Sequence, residues 1–303
     1  ERYPHLTQFH AYKVPVTHDE AKTWLKRQLM VVSKGTSEDK ANTISYVQTG
    51  EVIDFLYTNA DNDADETTDL GAKIIDDGVQ FKLWAPTAIS VSLLAYQNGT
   101  VTDKPSASFP MSEDKKSGLW QLHSTQIKAF DYYQYQIEVY HPESKKIETL
   151  ITTDPYSLSL STNSTHSQVV DLGDRATKPT FWDNHTVPEI NAPEDNILYE
   201  THIRDFSAGD LSIQSANIRG KYLAFAETDT DGIKHLKSLK EAGLNNVHLL
   251  PAFDIGTVNE NSEQVIDIND PISKLCQQLD TKPACETRLP NNKSIIDVLS
   301  TYD

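Results

Sequence analysis

Cysteine is scarce in this sequence: 303 residues contain two, Cys276 and Cys285. Two cysteines are too few for a zinc site, and they are too far apart for a Cys-x-x-Cys redox motif. In an exported protein the pair is expected to close a short surface loop as a disulfide, whereas in a cytosolic protein both would be free thiols. The cysteines therefore argue against a zinc site and against a redox motif, and they do not indicate whether the protein is exported or cytosolic.

Long apolar runs are also missing. No stretch approaches the roughly 20 apolar residues that span a bilayer, so no transmembrane segment is predicted. No signal peptide is visible either, and the chain begins at Glu1 rather than Met. We expect a processed or cropped N-terminus, so the missing signal does not indicate a destination.

Basic residues are outnumbered, with 27 Lys and Arg against 44 Asp and Glu and a net charge of -17. Such a chain has no electrostatic reason to bind nucleic acid or anionic lipid, whereas a neutral, polyhydroxylated substrate is compatible with it. A length of 303 residues with 38% hydrophobic residues suits two or three domains with cores of their own.

The first segment, residues 1–68, is predicted to be a small α+β unit. Thr17 or Asp19 is expected to cap a helix that runs through Trp24, Leu25 and Leu29. Two strands are predicted around Gly50, at residues 43–47 and 51–57.

An acidic stretch follows, with carboxylates at positions 61, 63, 65, 66 and 69. The alternating Asp residues suggest a calcium loop, but the sixth position is Glu66 rather than Gly and the twelfth is Ala72 rather than Glu. The sequence therefore favours a solvated acidic linker, and no metal ligand is assigned.

Residues 69–172 are predicted to be strands and turns throughout. Runs rich in β-branched and aromatic residues lie at 79–84, 89–96, 119–123 and 132–140. Several short strands at this spacing indicate an antiparallel, immunoglobulin-like β-sandwich. In the last run, Tyr133, Tyr135, Ile137 and Val139 share one face, which we expect to meet the core.

After an extended connector at 173–196, the stretch from Ile197 to Asp254 predicts a strand, a helix and a second strand. Ile233, Leu236 and Leu239 share one face of the helix, and Gly243 is expected to end it. The apolar run at 247–250 is typical of a parallel strand buried on both faces. Together these elements predict a right-handed βαβ unit.

Polar and aromatic residues end both of these strands: Asp205, Phe206 and Ser207 end the first, and Phe253 and Asp254 end the second. In a (β/α) barrel, sites are built at this rim. The alternative is an ordinary strand end in any α/β sheet.

Several motifs resemble those of one enzyme family. The segments at 199–207, 219–224 and 248–254 look like the opening of the catalytic barrel of type I pullulanases, which are starch-debranching enzymes of the α-amylase superfamily (glycoside hydrolase family 13). The likeness continues through residues 81–87 and 153–164. Tyr3–Thr7 with Ala11–Lys13 resembles the accessory domain of pullulanases from Gram-negative bacteria.

This resemblance implies a multidomain chain. Residues 1–68 would form the accessory domain and 69–172 a family 48 carbohydrate-binding module. After a linker at 173–196, residues 197–303 would form the first part of a truncated (β/α)8 TIM barrel. The implied partner is an α-glucan such as pullulan, amylopectin, glycogen or a limit dextrin. The implied location is secreted or cell-surface in a Gram-negative bacterium.

The resemblance also suggests residue roles. Trp84 and Trp120 would stack on sugar rings, although a Trp beside a Pro at a strand end is more often a core or interface anchor. Phe253 and Asp254 are candidate substrate contacts. Cys276 and Cys285 would form the disulfide of an insertion that secreted pullulanases carry. No cofactor is identifiable, and the resemblance allows calcium in the full-length enzyme.

No catalytic residue is assigned in this sequence. The stretch after residue 196 is well short of the about 250 residues and eight strands of a complete barrel. The family's Asp nucleophile, Glu acid/base and second Asp come from later strands, beyond residue 303. Asp205 and Asp254 are lone carboxylates, whereas retaining hydrolysis needs two carboxyl groups about 5 Å apart.

The prediction is therefore the front part of an enzyme that hydrolyses α-1,6-glucosidic linkages with retention, inactive when alone. Two alternatives are a non-enzymatic α-glucan-binding protein and another superfamily member such as a glycogen-branching transferase.

Overall fold

The computed structural model describes the chain with gaps. The described residues are 4, 7, 8, 10, 12–34, 43–61, 63–100, 102, 104–250, 252, 253, 256, 258–261, 264–266, 269–277 and 293–300. By its internal packing the chain divides into two units, residues 1–178 with 259–303, and residues 179–258.

The strands and helices are as follows. The strands are β1 (Met30–Ser33), β2 (Thr43–Tyr46), β3 (Gly71–Ile75), β4 (Gly78–Trp84), β5 (Ser90–Tyr96), β6 (Ala107–Pro110), β7 (Ser112–Asp114), β8 (Leu119–Ser124), β9 (Tyr132–His141), β10 (Lys146–Thr152), β11 (Ser167–Gln168), β12 (Leu198–His202) and β13 (Asn246–Leu250). The helices are α1 (His18–Trp24), α2 (Gly50–Tyr57), α3 (Ile203–Ser207), α4 (Asp231–Glu241), α5 (Ile272–Gln277) and α6 (Ile295–Leu299).

Thr17 caps α1, as predicted. Its hydroxyl accepts a hydrogen bond from the Glu20 amide at 3.3 Å, and Glu20 Oε2 accepts one from the Thr17 amide at 2.8 Å, which is a complete capping box. These bonds lower the pKa of Glu20, chiefly the one from the Thr17 backbone. The helix ends at Trp24, so the prediction that it continues to Leu29 is wrong.

The predicted strand at 51–57 is also wrong, because these residues form α2. Ile53 and Leu56 are half-buried and Tyr57 is 1% exposed. This spacing of three and four residues places them on one helical face. Packing of that face overrides the β-propensity of Val52, Ile53 and Phe55. The strand predicted at 43–47 is present as β2, which pairs antiparallel with β1.

Two antiparallel sheets make up the centre of the larger unit. Their strand orders are β3-β4-β8-β7 and β10-β9-β5-β6, with β11 paired to β9. The four strands predicted between 79 and 140 are all confirmed, as β4, β5, β8 and β9. Phe81 of β4 and Tyr133 of β9 meet in the core between the sheets, with their ring centroids 5.0 Å apart.

The predicted inward face of β9 is confirmed along its first half. Tyr133 and Tyr135 are 1% and 0% exposed, and Ile137 packs against the same core. Their register with β5, with Tyr135 opposite Leu93 and Tyr133 opposite Ala95, places side chains of both strands on one side of the sheet.

A buried carboxylate lies beneath this face. Asp154 is 4% exposed, and its Oδ2 accepts hydrogen bonds from the hydroxyls of Tyr133 (2.8 Å) and Tyr135 (3.1 Å). Its Oδ1 accepts one from the Tyr156 amide at 2.8 Å. Burial raises the pKa of Asp154, and these hydrogen bonds partly oppose the rise. The carboxylate ties the segment after β10 to the core face of β9.

Residues 179–258 contain the predicted βαβ unit. Strands β12 and β13 are parallel, with Tyr199 opposite Val247, and α4 lies between them in sequence. Gly243 has φ +113°, and the Leu244 amide donates to the Leu239 carbonyl at 2.9 Å. The glycine therefore ends the helix through a backbone conformation that L side chains rarely adopt.

The apolar run of β13 is not buried on both faces, and that prediction is wrong for this chain. Val247, Leu249 and Leu250 are 44%, 36% and 39% exposed. Within the described residues no third strand joins β12 and β13, so part of each side chain has nothing to pack against. Two parallel strands do not constitute a barrel.

No helix among the described residues has the length and apolar character needed to cross a bilayer.

Candidate functional site

Both predicted sugar-stacking tryptophans lie at one end of the β4–β8 pair. The indole Nε1 of Trp84 donates to the Ser117 carbonyl, and that of Trp120 donates to the Ala85 carbonyl, both at 3.0 Å. Trp120 belongs to the sandwich core and is 5% exposed, which leaves too little ring surface for a sugar to stack on. Trp84 is half-buried on the opposite face of β4.

The turn that receives the Trp84 hydrogen bond is sterically constrained. Gly118 has φ +73°, and a Cβ at this position would lie 2.7 Å from Pro86 Cβ. The Ser117 hydroxyl donates to Asp114 Oδ2 at 2.7 Å, and this bond holds the pKa of Asp114 below its usual value. The indole of Trp84 is thus held against a turn that tolerates little change.

Two lysines of the N-terminal segment reach the same turn. Lys26 Nζ lies 2.6 Å from Glu113 Oε1 and 5.4 Å from the Trp120 ring centroid. Lys22 Nζ donates to the carbonyls of Lys115 and Lys116 and lies 4.2 Å from the Tyr57 ring centroid. Burial raises the pKa of Tyr57 to about 12. The sequence could have indicated this contact, because Lys22 and Lys26 are four residues apart on a predicted helix and so share one of its faces.

A cleft of about 620 Å³ lies between the N-terminal segment and residues of the sandwich. Its lining includes Leu25, Arg27, Gln28, Leu29, Tyr46, Val47, Thr49, Ile53, Thr87, Tyr140 and Pro142. The Tyr140 hydroxyl is buried and has no hydrogen-bond partner among the described residues. The volume is within the range of small-molecule sites, and residues distant in sequence form the cleft, which is why the sequence did not indicate it.

The first strand, β12, ends at His202, so the prediction that Asp205, Phe206 and Ser207 end it is wrong; these residues lie in α3. Helix α3 follows the strand directly, and the Ser207 hydroxyl, 1% exposed, accepts from the Gly220 amide at 2.8 Å. Phe206 stacks on Phe225 with centroids 4.3 Å apart. Asp205 is exposed, and its nearest cation is Arg204 at 3.9 Å. These contacts give the first strand end a structural role.

The end of β13 is described only in part. Phe253 is 82% exposed, whereas Asp254 lies outside the described residues. Tyr222 reaches this end, and its hydroxyl donates to the Ala252 carbonyl at 3.0 Å. The exposed ring of Phe253 is available for a contact that the described residues of this unit do not provide.

Cys276 is disulfide-bonded. It is 0% exposed and packs with Ile272 and Val298 in a small cluster. Cys285 lies outside the described residues.

The acidic stretch is not uniformly solvated, contrary to the linker prediction. Asp61, Asp65 and Glu66 are exposed, but Asp63 is 6% exposed. Asp63 Oδ2 accepts from the Ala60 amide at 2.7 Å, and the Asp63 amide donates to Glu66 Oε2 at 3.0 Å. The hydrogen bond between the carboxyl groups of Asp63 and Asp65 raises the pKa of Asp65 to about 6.

Comparison with known proteins places these features in a family. Residues 1–54 match the Pullulanase N2 domain, and residues 69–157 match Carbohydrate-binding module 48 (Isoamylase N-terminal domain). The chain is 41% identical over 281 residues to a pullulanase of Klebsiella pneumoniae, covering 91% of this chain and 25% of that protein. It is 36% identical over 265 residues to the chloroplastic pullulanase 1 of Arabidopsis thaliana, covering 87% and 26%.

A solved structure agrees. The crystal structure of a Klebsiella pneumoniae pullulanase complexed with maltotriose aligns with a TM-score of 0.77 at 37% identity, over 98% of this chain and 28% of that one. The chain spans about a quarter of the length of the curated relatives it matches.

The class of protein is thus a β-sandwich of the carbohydrate-binding module 48 family, preceded by an accessory domain and followed by an α/β segment. Within that class, the chain belongs to the type I pullulanases and corresponds to their N-terminal region.

Proposed function

We propose that this chain is the front part of a starch-debranching hydrolase that cleaves α-1,6-glucosidic linkages in α-glucans with retention. The observation that carries the proposal is the order of its parts: a Pullulanase N2 match, a family 48 module, and then the parallel β12–α4–β13 unit. A glycogen-branching transferase would share the module and the βαβ unit, but the N2 match favours a pullulanase.

The βαβ unit represents, in this proposal, the first two strands of a (β/α)8 barrel. Support comes from β13, whose apolar side chains are more than a third exposed. In a barrel, later strands and helices cover such side chains. The polar and aromatic residues that follow β12 and β13 would then belong to the rim on which the substrate lies.

Catalysis is assigned to groups outside this chain. Retaining chemistry needs one ionised and one protonated carboxyl group about 5 Å apart. Asp205 is exposed, with Arg204 3.9 Å away, and we do not assign it a catalytic role. The chain alone is therefore proposed to be inactive.

We place the enzyme outside the cytosol or on the cell surface. The support is the disulfide bond at Cys276, because disulfides persist mainly in oxidising compartments.

The activity can be tested with residues 1–303 and a full-length enzyme that contains them, each incubated with pullulan. The full-length enzyme should release reducing ends with the α-anomer formed first, as seen by proton NMR, while residues 1–303 should match the buffer blank. A full-length enzyme that rearranges the glucan without net release of reducing ends would be a transferase. Reducing ends released by residues 1–303 alone would overturn the assignment of catalysis.

Binding by the sandwich gives a separate prediction. We expect weak or no retardation of residues 1–303 in amylopectin affinity gels. Trp84→Ala should lower the free energy of unfolding by about 2 kcal/mol, since it removes a half-buried ring and its hydrogen bond to Ser117. Thermal melts measure this loss.

Tyr46→Ala changes a residue that lines the 620 Å³ cleft and serves as the comparison. If this variant were retarded less than wild type while its melting temperature stayed unchanged, the glucan contacts would lie in the cleft.

If Trp84→Ala instead abolished retardation and left the melting temperature unchanged, Trp84 would be a stacking platform rather than an anchor.

A further inference from the structure

A group of three carboxylates lies in the loop between α2 and β3. One carboxylate oxygen each from Asp63, Asp65 and Glu66 lies within 4.8 Å of the others. Asp65 and Glu66 are exposed, so water has access from one side. An exposed acidic cluster alone needs no ligand, because solvent screens its charges.

Asp63 makes this cluster different. It is 6% exposed, and its Oδ1 is buried without a hydrogen-bond partner among the described residues. A buried carboxylate oxygen without a donor costs several kcal/mol unless a proton or a cation compensates its charge. One of its carboxylate oxygens lies within 4.8 Å of an oxygen of Asp65 and of Glu66, so negative charge is concentrated at this point of the loop.

The lysines near this loop do not supply that charge. Lys82 Nζ lies 2.7 Å from the carboxylate of Asp69, and Lys116 Nζ donates to the Asp61 carbonyl at 2.6 Å. Within the described part of the chain, no Lys, Arg or His forms an ion pair with Asp63, Asp65 or Glu66.

We propose that Asp63, Asp65 and Glu66 bind a calcium ion, with water completing its coordination. All three donors are oxygens, which selects a hard cation. Ca²⁺ accepts carboxylates and water in irregular geometry, whereas Mg²⁺ demands a near-ideal octahedron. Three protein ligands on a partly open loop imply weak affinity, with a dissociation constant of about 10⁻⁴ to 10⁻³ M, as in extracellular calcium modules.

The position of the ion gives it a structural role. The Ala64 amide donates to the carbonyl of Tyr57, the last residue of α2, at 2.9 Å, and Asp69 pairs with Lys82 of β4. The loop that holds the carboxylates is therefore anchored to the helix at one end and to the sandwich at the other. A bound cation would fix this connection and raise the stability of the folded chain by mass action.

The loop is not a helix–loop–helix calcium site, because the sequence lacks the glycine and the final glutamate of that motif. The proposed site depends on the burial of Asp63, which only the folded structure reveals.

The test uses residues 1–303 stripped with EDTA and titrated with CaCl₂ by isothermal calorimetry. Thermal melts in 10 mM CaCl₂ and in 10 mM MgCl₂ accompany the titration. Wild type should bind Ca²⁺, and its melting temperature should rise by about 3–6 °C in CaCl₂, more than in MgCl₂. The double variant Asp65→Asn, Glu66→Gln removes two ligands at exposed positions, so it should fold yet bind Ca²⁺ at least 10-fold more weakly.

Asp61→Asn is the matched control, because Asp61 is an exposed acid of the same loop outside the triad. It should keep the affinity and the thermal shift of wild type. Wild-type affinity in the double variant, or no measurable Ca²⁺ binding by wild type at 10 mM, would overturn the proposal. In the second case a proton shared between Asp63 and Asp65 would compensate the buried charge.

Discussion

Replacing Phe81 with Ala is expected to destabilise the sandwich by about 3–5 kcal/mol, the cost of removing a fully buried aromatic ring. Phe81 is 0% exposed and lies edge-on to Tyr133. The cavity would open in the centre of the core, where β3 pairs with residues 78–82 of β4 and β8 pairs with residues 79–84, so the flanking strands cannot move inward readily. Urea unfolding followed by tryptophan fluorescence measures the loss.

The matched control is Ile151→Ala, on an outer strand of the second sheet at 56% exposure. It should cost less than about 1 kcal/mol, because little area returns to water. Equal losses for the two variants would mean that Phe81 does not lie at the centre of the core.

Replacing Asp154 with Asn is expected to cost about 2–4 kcal/mol, because an amide cannot satisfy the three donors that surround the carboxylate. If its oxygen accepts from Tyr133 and Tyr135, its NH₂ group faces the Tyr156 amide, and two donors oppose each other. Asp171→Asn is the control: this exposed carboxylate accepts from the Gly173 amide at 2.7 Å, and its loss should cost under about 0.5 kcal/mol.

The difference between wild type and Asp154→Asn should also depend on pH. Burial raises the folded-state pKa of Asp154 above its unfolded value. The folded state therefore holds this proton more tightly, and the associated stability is present below the unfolded pKa and is lost as pH rises through the folded pKa. The loss on substitution should be larger near pH 4 than at pH 7. A loss that is larger at pH 7 would mean that the carboxylate is stabilised in its ionised form.

The sequence predicted the sandwich well because strand alternation reports local burial directly. Residues 133 and 135 show this, since period-2 alternation placed both on the core face before any tertiary contact was known. The same local signal failed at residues 51–57. A β-branched and aromatic run there packs through a helical face whose partners, including Lys22 and the β7–β8 turn, are distant in sequence.

The candidate sites were less predictable for the same reason. Trp120 has the residue type of a sugar platform, but its burial depends on the opposite sheet. Asp63 occupies a stretch whose composition indicates solvation, and burial of one of its five carboxylates results from the fold of the loop. Residue types in the sequence identified the candidate site residues. Whether each is buried or exposed decides its role, and burial depends on tertiary contacts that the sequence does not show.

The exposed pair β12–β13 has a consequence for synthesis on the ribosome. The sandwich strands lie between residues 71 and 168, so this module can fold once that stretch has emerged. In a full-length enzyme of the proposed kind, β12 and β13 emerge next, with apolar side chains that later strands must cover. At about 5–20 residues per second, a further hundred residues take about 5–20 seconds to appear. For that interval the nascent chain would present an uncovered strand pair.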